Sequence, residues 1–145
     1  MDKRQTKTPI IDMLNAFRER RPEYFCIPSH HMGTGADGAF KDIAGDVLAY
    51  DITETPLTDD LHEPEGAIKE AEELAAELFG AKRTFFLVNG TTCANEAMLT
   101  ASVHEGEKVL VARNCHKSVL MGLIISGAEP IYIEPEKCAE FGTYG

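Results

Sequence analysis

A repeat of apolar residues at helical spacing over residues 68–79 is the clearest pattern in the chain, and it predicts an amphipathic helix. Its apolar stripe consists of Ile68, Ala71, Leu74, Ala75, Leu78 and Phe79, and its charged face of Lys69, Glu70, Glu72, Glu73 and Glu77. Pro64 is expected in the first turn and Gly80 just after the last turn. A similar repeat over residues 10–17 predicts a helix that ends before Pro22.

The second half of the chain alternates continuous apolar runs with segments that can form helices. Strands are predicted at residues 84–88, 108–112 and 131–133, and helices near residues 92–103 and 118–126. Apolar runs without alternation are typical of parallel strands whose two faces are both covered by helices. We therefore predict an α/β fold with a three-layer, mostly parallel sheet and helices on both faces. Before these units, residues 47–52 are predicted to be extended.

Composition narrows the class of protein. The chain has 145 residues and is 43% hydrophobic, which is enough for one sizeable core. Its net charge of −10 argues against electrostatic binding to nucleic acid, which needs a basic surface. No signal-peptide or transmembrane pattern is found, so we expect a cytoplasmic protein. The four cysteines are far apart, and we expect them to be free thiols: Cys26, Cys93, Cys115 and Cys138.

A candidate anion site follows the apolar run at residues 84–88. There Gly90, Thr91 and Thr92 stand at the expected start of a helix, where backbone N–H groups, hydroxyls and the helix dipole suit a phosphate. The turn at residues 113–118 also follows a predicted strand, and ligands of open α/β sheets collect at such carboxyl ends. His116 in this turn is either a residue that stacks on a flat ligand or a helix cap.

Two other groups of polar residues invite a metal interpretation. Residues 59–63 read Asp-Asp-Leu-His-Glu, but acidic residues just before a helix more often act as caps. His30 and His31 lie in a glycine-rich loop at residues 29–38, with no carboxylate or cysteine at the spacing of metal ligands. We therefore predict no metal site.

Three motifs in order carry a resemblance to a known family. They are Asp-Asp-Leu-His-Glu-Pro-Glu-Gly-Ala-Ile at residues 59–68, Asn-Gly-Thr-Thr-Cys-Ala-Asn at 89–95 and Arg-Asn-Cys-His-Lys-Ser at 113–118. Together they resemble the ornithine/lysine/arginine decarboxylases, which are pyridoxal 5'-phosphate enzymes of the aspartate-aminotransferase-like fold. The resemblance extends from about Thr8 to Gly145. At residues 28–31 the chain reads Pro-Ser-His-His where the family more usually has Pro-Gly-His-Lys, so Ser29 and His31 depart from it.

The resemblance implies roles for four residues and a division of the chain. Gly90, Thr91 and Thr92 match the turn that holds the cofactor phosphate, and His116 matches the histidine that stacks on the pyridine ring. Residues 1–60 would form an N-terminal helix with an extended or loop segment. Residues 61–145 would form the first part of the cofactor-binding α/β domain of a fold-type I transferase, truncated at the C-terminus.

The resemblance also implies residues that lie outside this chain. The aspartate that pairs with the pyridine nitrogen and the Schiff-base lysine of a Ser-x-His-Lys segment are expected beyond residue 145. We therefore expect no catalytic residue in this chain and no activity from it alone. His116-Lys117 imitates the catalytic pair, but no Asp-x-x-His segment precedes it, so Lys117 is predicted to be a solvated lysine near a helix start.

The functional prediction is the N-terminal part of a decarboxylase of arginine, lysine or ornithine, with a role in polyamine biosynthesis and a homo-oligomeric parent, dimer or higher. The alternative is a non-catalytic fragment or pseudoenzyme that assembles with another chain through an exposed sheet edge. A free-standing nucleotide-binding domain is disfavoured, because the chain has neither G-x-G-x-x-G nor a P-loop motif.

Overall fold

The computed structural model describes residues 3–144, in which five α-helices and a two-stranded sheet are found. In chain order the elements are α1 (Pro9–Glu19), α2 (Gly38–Ala44), α3 (Ala67–Phe79), α4 (Gly90–Ser102), β1 (Lys108–Ala112), α5 (Lys117–Ser126) and β2 (Glu129–Ile133), with 3₁₀ helices at Lys3–Thr6 and Gly45–Tyr50. None of the helices in residues 3–144 has the length and apolarity needed to cross a membrane. The chain divides into two compact units, Met1–Phe86 and Leu87–Gly145.

The first unit is built around the contact between α1 and α3. Phe17 of α1 is buried, and its ring meets the ring of Tyr24 edge to face with 6.2 Å between centroids. The Tyr24 hydroxyl donates to the Ile27 carbonyl at 2.6 Å and accepts the Thr53 N–H at 2.7 Å. One buried tyrosine therefore ties together two segments that have no regular structure.

The predicted amphipathic helix is confirmed as α3, although it begins at Ala67 rather than near Pro64. Gly80 ends it in the left-handed conformation with φ of 63°, as predicted, and its N–H bonds the Ala76 and Glu77 carbonyls. The assignment of Glu72 to the solvated face was wrong. Its side chain is buried and accepts the backbone N–H of Phe86 at 2.9 Å.

The second unit is an α/β arrangement, which confirms the coarse fold prediction. β1 and β2 pair in parallel from Lys108 with Glu129 to Ala112 with Ile133, and α5 makes the connection between them. The core of this unit consists of Leu99 from α4, Val111 from β1 and Leu123 from α5. Leu110, the neighbour of Val111 in the strand, is 68% exposed on the other face of the sheet.

Two predicted extended segments are corrected by the structure. Residues 84–88 do not form a strand; Phe85 is 62% and Val88 79% exposed. A strand needs a neighbour for its backbone groups, and within residues 3–144 this segment pairs with none; the Phe86 N–H uses the Glu72 carboxylate instead. Residues 47–52 were also predicted to be extended, but most of them belong to the 3₁₀ helix Gly45–Tyr50, which buries Leu48.

The contact between α4 and α5 depends on a glycine. A Cβ atom at Gly122 would lie 2.6 Å from Leu99 Cδ1, 3.1 Å from Leu99 Cβ and 3.4 Å from the Asn95 carbonyl oxygen. Gly122 and Leu99 are both buried, so Leu99 has no open space into which it can move. Gly122 is thus the residue that lets these two helix backbones approach closely.

We expect Gly122→Ala to lower the free energy of unfolding by about 1–3 kcal/mol, the usual effect of overpacking a well-filled core. Urea denaturation followed by circular dichroism measures this loss. Gly38→Ala is the matched control, because a Cβ there meets nothing within 4 Å. A Gly122→Ala chain as stable as the Gly38→Ala chain would contradict the close contact between α4 and α5.

Candidate functional site

The N-terminus of α4 offers hydrogen-bond donors. Gly90 is its first residue and has φ of +72°, a conformation that glycine adopts without strain. The preceding residue, Asn89, makes no side-chain cap. Within residues 3–144, the backbone N–H groups and hydroxyls of Thr91 and Thr92 and the N–H of Gly90 have no acceptor. These donors stand where the first turn of a helix leaves N–H groups unpaired, and they suit an anion.

His116 is the N-cap residue of α5, which confirms the capping alternative for this side chain. Its backbone is extended, with φ of −66° and ψ of 148°, and its Nδ1 accepts the Ser118 N–H at 3.2 Å. The residue as a whole is exposed. Capping uses only Nδ1 and leaves Nε2 of this exposed residue without a partner within residues 3–144, so a cap and a binding residue are compatible roles.

The packing of α4 on α5 places the predicted residues at one end of the second unit. The helices run parallel, because Asn95 bonds Ser118 and, one turn later in both helices, Leu99 meets Gly122. Thr91 lies one turn before Asn95, and His116 lies just before Ser118. The two N-termini are therefore neighbours, and the short turn from β1 to α5 puts them at the carboxyl end of β1, as expected from the sequence.

The charges at this end of the second unit differ from those of the whole chain. No acidic residue occurs in residues 87–95 or 111–119, although the chain carries a net charge of −10. Arg113 lies in the turn between β1 and α5, with its guanidinium carbon 4.3 Å from the centroid of the Tyr132 ring. Two helix N-termini add partial positive charge to the same region. An acidic residue at the same edge of the sheet is Glu134, directly after β2; the features that favour an anionic ligand are therefore Arg113 and the two helix N-termini.

Asp59, from the acidic segment, acts as a cap of α3, as the sequence favoured. Its carboxylate accepts four backbone N–H groups at 2.8–3.0 Å, from Asp60, Glu65, Gly66 and Ile68. Partial burial, the largest single influence, favours the protonated acid, but the four donors together outweigh it and lower the pKa of Asp59 below its ordinary value of 3.8. Asp59 also lines an open groove of about 570 Å³ in the first unit.

The remaining sequence candidates lie apart from the α4 and α5 N-termini or add no chemistry there. His30 has a structural role: its Nδ1 accepts the Gly33 N–H at 3.1 Å and its Nε2 lies 3.1 Å from an Asp51 carboxylate oxygen. Lys117 is the first residue of α5 and is exposed. Within residues 3–144 there is no cluster of three or more histidine, cysteine or acidic side chains able to hold a metal ion.

Sequence reasoning gave no role to two residues that the structure places at this site. Asn95 Nδ2 donates to Ser118 Oγ at 2.7 Å, and that Oγ lies 2.9 Å from His116 Nδ1. Ser118 is only 1% exposed. The available signal was a polar residue in each of two helices that are otherwise mostly apolar on their facing sides, but helical periodicity alone does not show which polar residues face each other.

Comparison with known proteins identifies relatives over nearly the whole chain. The family described as "Orn/Lys/Arg decarboxylase, major domain" matches residues 8–145. An arginine decarboxylase of Halalkalibacterium halodurans is 46% identical over 134 residues, covering 92% of this chain and 27% of the relative. A lysine decarboxylase of Pseudomonas aeruginosa is 48% identical over 80 residues, covering 55% of this chain and 10% of the relative.

A solved structure shows the same backbone arrangement. The constitutive lysine decarboxylase of E. coli superposes with a TM-score of 0.79 at 29% identity, covering 96% of this chain and 20% of that protein. The chain thus spans about a quarter of the length of relatives such as the Halalkalibacterium enzyme.

We expect Asp59→Asn to lower the free energy of unfolding at neutral pH by about 1 kcal/mol, because an amide offers one acceptor oxygen where the carboxylate offers two. Asparagine tolerates the positive φ of residue 59, which is 68°, so the backbone is retained. Asp60→Asn is the control, since Asp60 accepts one N–H, from His62.

The same substitution predicts a pH dependence. A carboxylate with a lowered folded-state pKa stabilises the fold above its unfolded pKa, and this contribution disappears as the pH falls through the folded value. The stability difference between wild type and Asp59→Asn should therefore be complete at neutral pH and shrink below about pH 4. A difference that stays constant on acidification, measured by urea denaturation, would contradict the role given to Asp59.

Proposed function

The chain belongs to the Orn/Lys/Arg decarboxylase family, and on that premise we propose that it is the N-terminal part of a pyridoxal-phosphate enzyme that removes the α-carboxylate of arginine, lysine or ornithine. One observation carries the proposal. The uncapped N-terminus of α4, with Gly90, Thr91 and Thr92, lies beside the N-terminus of α5 and His116. This arrangement suits a ligand that joins a phosphate to a flat ring.

The donor set matches a phosphate dianion. Gly90, Thr91 and Thr92 would hold it with backbone N–H groups and two hydroxyls, all without another acceptor within residues 3–144. The positive φ of Gly90 turns the chain sharply into α4, so that these groups share one end of the helix. The two adjoining segments contain no acidic residue, which limits the repulsion of a doubly charged ligand to acidic residues of other segments such as Glu134.

His116 would lie against the pyridine ring. Its backbone position is set by capping α5, and its imidazole is a planar group that can stack on a second aromatic ring. When bound, pyridoxal phosphate serves as the electron sink for the charge that remains on the substrate Cα after carbon dioxide leaves. The residues of this chain bind and orient the cofactor in the proposal; we assign covalent attachment and proton transfer to none of them.

We extend the proposal to the whole protein of which this chain would be a part. Residues 61–145 would begin a three-layer cofactor-binding domain, with the exposed Leu110 face of the sheet covered by further helices, and residues 1–60 would precede it. The parent would be a cytoplasmic homo-oligomer, a dimer or higher. Support comes from the many exposed apolar side chains of the second unit, such as Ile124 and Ile125, which a larger assembly would bury.

We expect pyridoxal phosphate added to the 145-residue chain to shift the backbone amide resonances of Gly90, Thr91 and Thr92. The Thr91→Val/Thr92→Val double variant should bind at least about tenfold more weakly, because each hydrogen bond to a charged group contributes more than 1 kcal/mol. Thr100→Val is the matched control, since that hydroxyl of α4 donates to the Glu96 carbonyl in its own helix. Equal affinities for the double variant and the control would contradict the phosphate site.

We expect no specific covalent adduct at Lys117. Borohydride reduction of the chain mixed with pyridoxal phosphate, followed by peptide mass spectrometry, should show only low and scattered lysine modification. Lys117 is exposed at the start of α5, like other solvated lysines of the chain, so nothing singles it out as a nucleophile. A stoichiometric adduct at Lys117 would show that this residue is the Schiff-base lysine after all.

A further inference from the structure

The buried serine of α5 joins two helices to one imidazole. Ser118 Oγ accepts from Asn95 Nδ2 at 2.7 Å and lies 2.9 Å from His116 Nδ1, and the Ser118 backbone N–H donates to the same Nδ1 at 3.2 Å. Ser118 is 1% exposed, whereas His116 is exposed. The exposed residue His116 is thus bonded to a buried serine, which in turn is bonded to the half-buried Asn95.

The hydrogen bonds decide which ring nitrogen of His116 carries the proton. A backbone N–H can only donate, so Nδ1 must accept from Ser118 and cannot itself bear hydrogen. The Ser118 hydroxyl already receives the Asn95 amide and has one hydrogen of its own to give, which it gives to Nδ1. Two donors therefore meet at Nδ1, and the neutral ring is the Nε2–H tautomer.

We propose that Asn95 and Ser118 are positioning residues that hold His116 as the Nε2–H tautomer, with Nδ1 as an acceptor and Nε2 as the donor offered to the ligand. The role of His116 toward a ligand rests on the proposed cofactor site, whereas the assignment of the tautomer does not depend on that site. Nε2 has no acceptor within residues 3–144, so its hydrogen is available to an acceptor atom of an anion bound beside α4.

The positioning also has an entropic consequence. An exposed histidine usually rotates about two side-chain bonds and loses that freedom when it binds a ligand. Hydrogen bonds from two groups of Ser118 restrict both rotations before any ligand arrives, and the Asn95 amide in turn holds the hydroxyl. Preorganisation of this kind strengthens binding without a new contact to the ligand.

The chain contains two other histidines that serve as internal standards. His30 Nδ1 accepts the Gly33 N–H and its Nε2 faces the Asp51 carboxylate, so His30 must carry hydrogen on Nε2. His104 Nδ1 lies 3.3 Å from a Glu107 carboxylate oxygen, which can only accept, so this contact favours hydrogen on Nδ1. The same spectrum therefore contains one histidine protonated on Nε2, His30, and one protonated on Nδ1, His104.

The test is a long-range proton–nitrogen correlation spectrum of the ligand-free 145-residue chain at a pH well above the ordinary histidine pKa of about 6.5. We expect the His116 nitrogens to follow the pattern of His30, with an acceptor Nδ1 and a protonated Nε2. Asn95→Asp should draw the Ser118 hydroxyl hydrogen to its carboxylate, so that His116 Nδ1 keeps only the Ser118 backbone N–H and its nitrogen shift moves further from that of Nε2. Ser118→Ala should move the Nδ1 shift in the same direction, because it removes the hydroxyl donor and leaves the backbone N–H in place.

Thr100→Val is the control for a general effect of substitution in α4, and it should leave the His116 nitrogen shifts unchanged. If Ser118→Ala does not fold, Asn95→Asp alone still tests the inference. A wild-type His116 that resembles His104, or one unaffected by both Asn95→Asp and Ser118→Ala, would overturn the inference. A separate titration with pyridoxal phosphate tests the proposed function. If the amides of Thr91 and Thr92 do not shift, the cofactor site fails while the tautomer result stands.

Discussion

The close parallel contact of α4 with α5 is the constraint on which the second unit depends. Gly122 provides the space for it, Leu99 fills that space, and one turn nearer the N-termini Asn95 bonds Ser118. Because the two helices are held in this register, their positive ends stand side by side at the carboxyl end of β1. A helix pair crossing at a large angle would separate those ends and leave Thr91 and Thr92 without His116.

Capping side chains perform related tasks in the two units. In the first, Asp59 accepts four backbone N–H groups at and before the start of α3 and places a negative charge there, which repels an outside anion. In the second, α4 has no side-chain cap, and α5 is capped by a histidine that keeps one ring nitrogen unused. The difference explains why an anion site is expected at α4 and not at α3, although each helix has thirteen residues.

Local signals were sufficient to predict much of the fold. The apolar stripe of α3, the left-handed Gly80, and the apolar runs of β1 and β2 all depend on nearest neighbours along the chain, and each element is found close to its predicted position. The same reasoning failed at residues 84–88. This apolar run was predicted to be a strand, but it does not form one because it has no partner strand within residues 3–144. The reasoning failed again at Glu72, because burial of a carboxylate is decided by the Phe86 N–H fourteen positions away in sequence.

The residue types alone indicated which positions could serve a phosphate and a flat ring, because glycine, two threonines and a histidine have those donors and shapes wherever they stand. The sequence also contains the three motifs on which the resemblance to the decarboxylase family was based. Tertiary packing was needed to show that Asn95 bonds Ser118, that His116 caps α5 through Nδ1, and that the N-termini of α4 and α5 lie at the same end of the second unit. These facts depend on the register between two helices, and a register set by packing at Gly122 leaves no periodic signal in either helix alone.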